Sequence, residues 1–484
     1  MALGLLRGLM LFTATSCGIF VVLELCTWRT PVTSSWRLKP FFLDKLGHLL
    51  GHGEDTTGEF RYENTRGNYS VGVQDHSDEF WEYPASTRDE GGKSRASRGF
   101  VVSGNDAALQ KSSDYYAETN SVEHNVLDAA TEVDYLAGIL AKKLENNNTK
   151  LIKFKPTCHD ARTRANSCVE GKCLQLALPD DLRTRVSQLI SPTGLRLTSD
   201  QHQILKGMSA EVKGAYDVIF VTAASSNHYL ESQALLKNLH ENVFPHMTKN
   251  FTLVFYNLGL TDRERALVVK YCKCQVFDFP FEKFPSFMRE LKCYAWKPVM
   301  IKSQVPNANV VVWVDASVRF HKDSTVVQNL ITRSRERGVQ IGGSGSNSPF
   351  RTLASMYHYF GDEPCAYLNL GQAKATVGAY HSEHFVQRAV LEPWVACAFN
   401  SSCICPTRRF KSGCHMTRQM EARVDSSATA GAPIEYDLCH RFDQSAISII
   451  LHKLYQDKYG LVMVSTKTFS EILRGNRTFY FPKQ

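Results

Sequence analysis

What this 484-residue chain lacks narrows its class first. Its 56 Lys and Arg exceed its 48 Asp and Glu, for a formal net charge of +8, yet no basic block or nucleic-acid motif gathers that excess. The charge is therefore read as serving solubility, and nucleic acid is excluded as a partner. The run Gly342-Gly343-Ser344-Gly345-Ser346-Asn347 has no P-loop lysine, so it is read as a flexible turn or lid rather than a Walker cradle. Cys272-x-Cys274 and Cys403-x-Cys405 lack the two-residue gap of structural zinc sites, which weakens a zinc reading. Gly8 to Leu23 contains no charged residue and ends without a small-x-small cleavage site. An uncleaved signal-anchor is favoured there over a removed signal peptide.

With Cys26 included, that run approaches the length that crosses a bilayer. Residues 1–7 then form a short cytoplasmic tail and residues 8–26 the signal-anchor helix. Flanking charge does not orient it, because Arg7 stands on one side and Arg29, Arg37 and Lys39 on the other. Two later features do. Asn68, Asn147, Asn250, Asn400 and Asn476 each open an N-x-Ser/Thr glycosylation sequon. Twelve of the 14 cysteines follow Cys26 in an even, clustered set, as disulfides of an oxidising compartment do. The expectation is a single-pass type II protein of the Golgi or endoplasmic reticulum membrane, with the bulk of the chain lumenal.

Residues 27–150 are rich in Gly, Ser, Asp, Glu, Arg and Asn and hold no sustained period, so they read as a largely disordered stem. Within them Val126, Leu127, Ala130, Val133, Leu136, Leu140 and Leu144 recur at helical spacing, which predicts a short coiled coil in the stem or the first packing helix, with the former preferred. Residues 151–205, with Cys158, Cys168 and Cys173, are a Cys-containing approach to a main domain at 206–484. There the texture alternates between strand and helix, which predicts an α/β fold with a mostly parallel nucleotide-binding sheet and helices on both faces. Strands are expected at 217–224, 252–256, 274–279 and 310–314. Thr261-Asp262-Arg263-Glu264 reads as a capping box at the start of a helix.

The chain is organised around Val310-Val311-Val312-Trp313-Val314-Asp315-Ala316-Ser317, an apolar β-branched run that ends on an acid. Ligands of open α/β sheets bind beyond the carboxyl ends of the strands, which puts Asp315 at the lip of a site and Ser317 on the same side. A carboxylate there suits a divalent cation carrying a diphosphate; the alternative is that Asp315 caps a turn. Farther on, Asp443 reads as the N-cap of an apolar helix and Trp394 as either a sugar-stacking or a buried side chain. His440 is either a metal ligand or a surface residue. Lys297 precedes Pro298, which biases its backbone toward extended form and leaves its side chain free to reach solvent.

Three motifs carry a resemblance: Tyr294-Ala295-Trp296-Lys297-Pro298, Trp313-x-Asp315-x-Ser317-x-Arg319-Phe320 and His440-Arg441-Phe442-Asp443-Gln444-Ser445. Together they resemble an uncharacterised animal family of membrane-anchored proteins similar to GT-A glycosyltransferases, over roughly residues 195 to 465. The resemblance implies transfer of a hexosyl-type sugar from a nucleotide-sugar donor to a glycan or glycoprotein acceptor. It implies Asp443 in catalysis, with Lys297, Asp315, Ser317, Arg319 and Gln444 on the donor, and Mn2+ or Mg2+ at Asp315 and His440. Arg319 and Arg441 are the cations expected to neutralise the departing diphosphate. Ser317 stands where the D-x-D pattern has its second acid, which lowers the expected metal affinity and admits a non-catalytic binding protein as the alternative.

Overall fold

The computed structural model describes residues 13–15, 18–20, 128–145, 168–169, 172–406, 414, 436–437 and 439–482, and the chain divides into two units, Met1–Gln74 and Asp75–Gln484. In the first, Thr13–Thr15 (β1) pairs antiparallel with Gly18–Phe20 (β2) inside the segment expected to be helical. The rest of the expected anchor, most of the expected stem, Asn68, Asn147 and Cys158 lie outside the described residues. Among the described residues no helix is long and apolar enough to cross a membrane.

The second unit begins with Ala129–Leu144 (α1), capped by Asp128, whose Oδ1 accepts the N–H groups of Ala130 and Thr131 at 3.0 and 3.1 Å. Its apolar stripe, Val133, Leu136, Ala137, Leu140 and Leu144, is buried in the main core rather than in a stem coiled coil. Charge pairs on either side of the stripe fix the docking: Glu132 takes the Arg388 guanidinium at 2.7 Å, and Lys143 meets Glu383 at 2.6 Å. Cys168–Val169 (β3) and Lys172–Cys173 (β4) pair antiparallel with Cys168 opposite Cys173. Leu182–Ile190 (α2) and Ser199–Ala210 (α3) then pack on the same core.

The sheet is built from Tyr216–Ala224 (β5), Phe251–Asn257 (β6), Gln275–Asp278 (β7), Ala308–Val314 (β8), Val339–Asn347 (β10), Gly371–His381 (β11) and Met463–Ser465 (β12). Its order is β12-β10-β11-β8-β5-β6-β7, which makes the apolar strand before Asp315 the middle one of seven. The pairs β7–β6, β6–β5, β5–β8 and β10–β12 are parallel, whereas β11 runs antiparallel to both neighbours. Tyr229–Asn238 (α4), Asp262–Tyr271 (α5) and Trp296–Gln304 (α6) make the crossovers, and the expected Thr261/Glu264 capping box is present on α5. Alternate residues of the strands feed two separate cores. Ile219, Val221, Val311 and Trp313 face one; Val218, Phe220, Val310, Val312 and Val314 face the other. Both faces of the sheet are therefore covered, which is why β8 reads as a continuous apolar run.

After Val318–Phe320 (β9) come Ser324–Arg337 (α7), Ala354–Tyr359 (α8), Glu392–Phe399 (α9), Asp443–Tyr455 (α10) and finally Ser470–Ile472 (β13), which pairs with β9. The Gly/Ser run at 342–347 is not a lid; it lies in β10. A Cβ on Gly342 would sit 2.5 Å from the Thr466 side chain, so glycine lets the chain after β12 approach that closely. Among the described residues, disulfides join Cys272 to Cys274, Cys293 to Cys405, Cys397 to Cys403 and Cys414 to Cys439.

Because Leu136 is fully buried between α1 and the main core, Leu136→Ala will destabilise the protein by about 2–5 kcal/mol in denaturant unfolding. An unchanged midpoint would return α1 to the stem.

Candidate active site

The sheet changes direction of growth between β5 and β8. From β5 the chain builds outward through β6 to β7, then crosses back to lay β8 on the other side of β5. The last residues that β5 and β8 pair are Val221 and Trp313, and Thr222 Oγ1 donates to the Val314 carbonyl at 2.7 Å. Beyond Val221 and Trp313 no further β5–β8 residue pair is formed, and the carboxyl end of such a switch point is where open α/β sheets bind ligands. The β5 side supplies the loop Ser225–His228, and the β8 side supplies Asp315.

Asp315 does not continue the strand. The Val318 N–H closes a turn onto the Asp315 carbonyl at 3.1 Å, so Ser317 lies in that turn and not two strand positions on. Ser317 is buried, and its carbonyl accepts the Leu473 N–H at 2.8 Å. The Asp315 carboxylate is about a quarter exposed, and its Oδ1 accepts from Trp313 Nε1 at 2.7 Å.

Behind Asp315 stands Lys297. A left-handed residue, Tyr294 at φ 52°, turns the chain into α6, and Lys297 and Pro298 occupy its first helical residues, where a missing N–H costs little. The extended, solvent-directed lysine is thereby corrected. Lys297 is buried, with Nζ 3.1 Å from Asp315 Oδ1, 3.0 Å from Asp443 Oδ2 and donating to the Ala375 carbonyl of β11 at 2.9 Å. The rings of Tyr294 and Trp313 each lie 5.3 Å from the ammonium. Burial alone would lower its proton affinity, but the Asp315 and Asp443 carboxylates outweigh burial and keep it charged.

Asp443 is the first residue of α10 and not its cap; Phe442, at φ 48°, holds the cap position without a side-chain bond. Burial raises the Asp443 carboxyl to about 6 against the opposing pull of Lys297. Its side chain is only 3% exposed, so it lies behind Lys297 and positions it. Gln444 donates from Nε2 to the Ala373 carbonyl at 3.1 Å, tying α10 to β11 instead of opening toward a donor.

Other expectations separate from this centre. Arg319 is buried and spends its guanidinium on the Ala316, Val318 and Glu231 carbonyls at 2.6, 2.6 and 3.1 Å, so it braces the turn. Burial lowers it to about 10. His440 is a buried residue, against the surface alternative. It accepts the Leu353 N–H on Nδ1 at 3.4 Å, packs edge-on against Phe442, and is pushed down to about 4 by burial. Trp394 is fully buried, and its Nε1 donates to the Asp443 carbonyl at 3.1 Å.

The residues present do not fit a dedicated Mn2+ or Mg2+ site. Asp315 Oδ1 is held by Trp313 and Lys297, Asp443 sits behind the ammonium, and His440 is turned to Leu353. Among the described residues no three His, Cys, Asp or Glu side chains come together in a set able to hold a metal ion.

Two residues at the crevice escaped the sequence reading. His228, just over half exposed, bonds Glu231 Oε2 through Nδ1 at 2.9 Å, and this bond raises its proton affinity against burial. Arg474 follows β13. Both are isolated residues in polar loops, and no motif or spacing marks them; only the pairing of β13 with β9 brings the end of the chain to Ser317.

A family described as "Protein of unknown function (DUF1647)" matches residues 187–302, a span that includes Lys297 and stops short of Asp315 and Asp443. No curated protein matches the chain. Among solved structures it is similar to the bifunctional glycosyltransferase WbbM, at 11% identity over 40% of this chain and 38% of that one, with a TM-score of 0.27. It is also similar to the galactosyltransferase LgtC in complex with donor and acceptor sugar analogues, at 14% identity, 51% and 72% coverage and a TM-score of 0.26. The mannosyltransferase Ktr4p from S. cerevisiae is matched at 12% identity, 57% and 78% coverage and a TM-score of 0.29.

Removing the ammonium leaves two uncompensated carboxylates, so Lys297→Met will cost about 3–5 kcal/mol, and adding Asp443→Asn will restore part of the loss. The raised Asp443 carboxyl gives a pH signature as well. Its contribution to stability is present below about pH 4 and is lost as pH rises through about 6, so wild type will lose stability relative to Asp443→Asn across that window. Parallel pH profiles would contradict the assignment.

Proposed function

We propose that the protein is a glycosyltransferase of the secretory pathway that moves a sugar from a nucleotide-sugar donor to a glycan or glycoprotein acceptor. One observation carries the reading: a partly exposed Asp315 at the carboxyl end of the central strand, backed by the buried Lys297–Asp443 pair at the sheet's switch point. Burying Lys297 and Asp443 against an apolar sheet costs several kcal/mol per ion, and such a pair opening through Asp315 is better explained by use than by stability. A second buried pair, Lys453–Asp362 at 2.6 Å, is sealed from solvent and tied to Phe360 and Tyr367, as a purely structural pair is.

In the reaction, the bond between the anomeric carbon and the diphosphate oxygen breaks with its electron pair leaving on the diphosphate. The acceptor hydroxyl oxygen bonds the anomeric carbon and passes its proton to the departing diphosphate oxygen. Asp315 is the member of the centre open to ligand, and Asp443 and Lys297 fix its orientation. A non-catalytic sugar-nucleotide-binding protein is the second reading, favoured by Asp315 already being neutralised from within and by Ser317 lying in a turn.

A type II, lumenal placement in the Golgi or endoplasmic reticulum accompanies this reading. It is supported by the disulfides and by the exposure of Asn250 and Asn476; Asn400 is half-buried and caps a short turn through Oδ1.

Nucleotide sugars will raise the thermal midpoint of the wild-type protein by mass action, and one of them will be consumed when acceptor glycans are supplied. Asp315→Asn will abolish the consumption while the fold survives. Binding without consumption selects the second reading, and no midpoint shift with any donor refutes both. Peptide-N-glycosidase treatment of protein from animal cells will lower the mass through Asn250 and Asn476; an unchanged mass would contradict the lumenal placement.

A further inference from the structure

We infer that Arg474 and His228 form a cationic clamp for the diphosphate of a nucleotide bound at the β5/β8 crevice, doing for the leaving group what the expected Mg2+ or Mn2+ and Arg319 were assigned to do. The inference rests on the donor-site reading above and adds to it which residues meet the diphosphate.

The clamp is a built feature. Leu473 N–H is bonded to the Ser317 carbonyl at 2.8 Å, and Gly475 N–H is bonded to Glu231 Oε1 at 2.9 Å. Arg474 is therefore pinned on both sides, over the turn that follows Asp315. Gly475 sits at φ 70°, the left-handed conformation that brings its N–H back to Glu231. The other oxygen of the same carboxylate, Oε2, holds His228 Nδ1 at 2.9 Å. One buried glutamate thus sets the position of His228 and of the segment carrying Arg474. Arg319 braces the arrangement from beneath through its bond to the Glu231 carbonyl.

The charges on this side are not internally balanced. Glu231 serves His228 and Asp315 serves Lys297, but the exposed Arg474 guanidinium has no hydrogen-bond or ion-pair partner among the described residues. His228 and Gly475, the neighbour of Arg474, bond the same Glu231 carboxylate, so the two cationic residues share one locality. His228 also stands at the cap position of α4, a ten-residue helix whose amino end adds partial positive charge. An unpaired Arg474 guanidinium, with the His228 imidazole held on the same glutamate that fixes Gly475, matches a polyanion, and a diphosphate is the polyanion that a nucleotide-sugar donor brings.

The test is titration calorimetry of the purified protein with UDP, GDP, uridine, guanosine and inorganic pyrophosphate, in EDTA and then in Mn2+. One of the two nucleoside diphosphates is expected to bind in EDTA. Arg474→Gln will weaken it by about 10- to 100-fold with its nucleoside unaffected, and Arg474→Lys will recover part of the loss. Arg474 is exposed, so the thermal midpoint of Arg474→Gln will match wild type and a lost affinity will not reflect misfolding. Diphosphate binding that requires Mn2+ and is indifferent to Arg474→Gln overturns the clamp and leaves the donor-site reading standing. Failure of both nucleoside diphosphates and of pyrophosphate to bind wild type under either condition overturns the two together.

Discussion

The ammonium of Lys297, held between Asp315 and Asp443, is the interaction on which the rest of the site depends. Neither carboxylate is stable there without it: Asp443 has almost no contact with water, and Asp315 keeps only a quarter of its surface exposed. The ammonium in turn draws on three parts of the fold at once, the strand end that carries Asp315, the first turn of α10 and the Ala375 carbonyl of β11. A shift of any one element by an ångström would leave an unpaired charge in a low-dielectric layer, and that penalty locks the elements together.

The surrounding covalent and aromatic structure serves that lock. Cys293 precedes the left-handed Tyr294 and is tied to Cys405, so the turn that aims Lys297 is fastened to the chain after α9. Trp394 of α9 bonds the Asp443 carbonyl, and Trp313 bonds the Asp315 carboxylate, so each acid is positioned by a tryptophan. Toward the crevice the organisation changes from apolar and disulfide-bonded to polar and loop-borne. There Glu231 links the end of β5 to the last strand pair. A rigid interior thus carries a polar rim on which Arg474 keeps an unpaired charge among the described residues.

Much of this was legible in the sequence, for definite reasons. The β8 run, the strands before it and the capping box of α5 rest on local signals, β-branched composition and Thr/Glu spacing, and they stand where expected. Lys297, Asp315 and Asp443 were each singled out and do meet. Their roles relative to one another were not legible, because whether a lysine reaches solvent or a carboxylate depends on residues 18 and 146 positions away. Ser317 was misplaced because the strand pattern was carried through a turn. Arg319 was taken for a ligand because a charge in a motif does not reveal that backbone carbonyls will claim it. Arg474 was not assigned to the site because two-stranded pairing between β9 and β13 joins segments far apart in the chain.

The central claim is that the open end of the Lys297–Asp315–Asp443 centre receives the diphosphate of a sugar nucleotide. The most direct measurement is a crystal structure grown in the presence of a nucleoside diphosphate. The account predicts electron density for the two phosphates at the carboxyl ends of β5 and β8, within hydrogen-bonding distance of Arg474 and His228, with the Lys297 ammonium still between its two carboxylates. Phosphate density elsewhere on the protein, with the β5/β8 crevice filled only by solvent at full nucleotide occupancy, would contradict it.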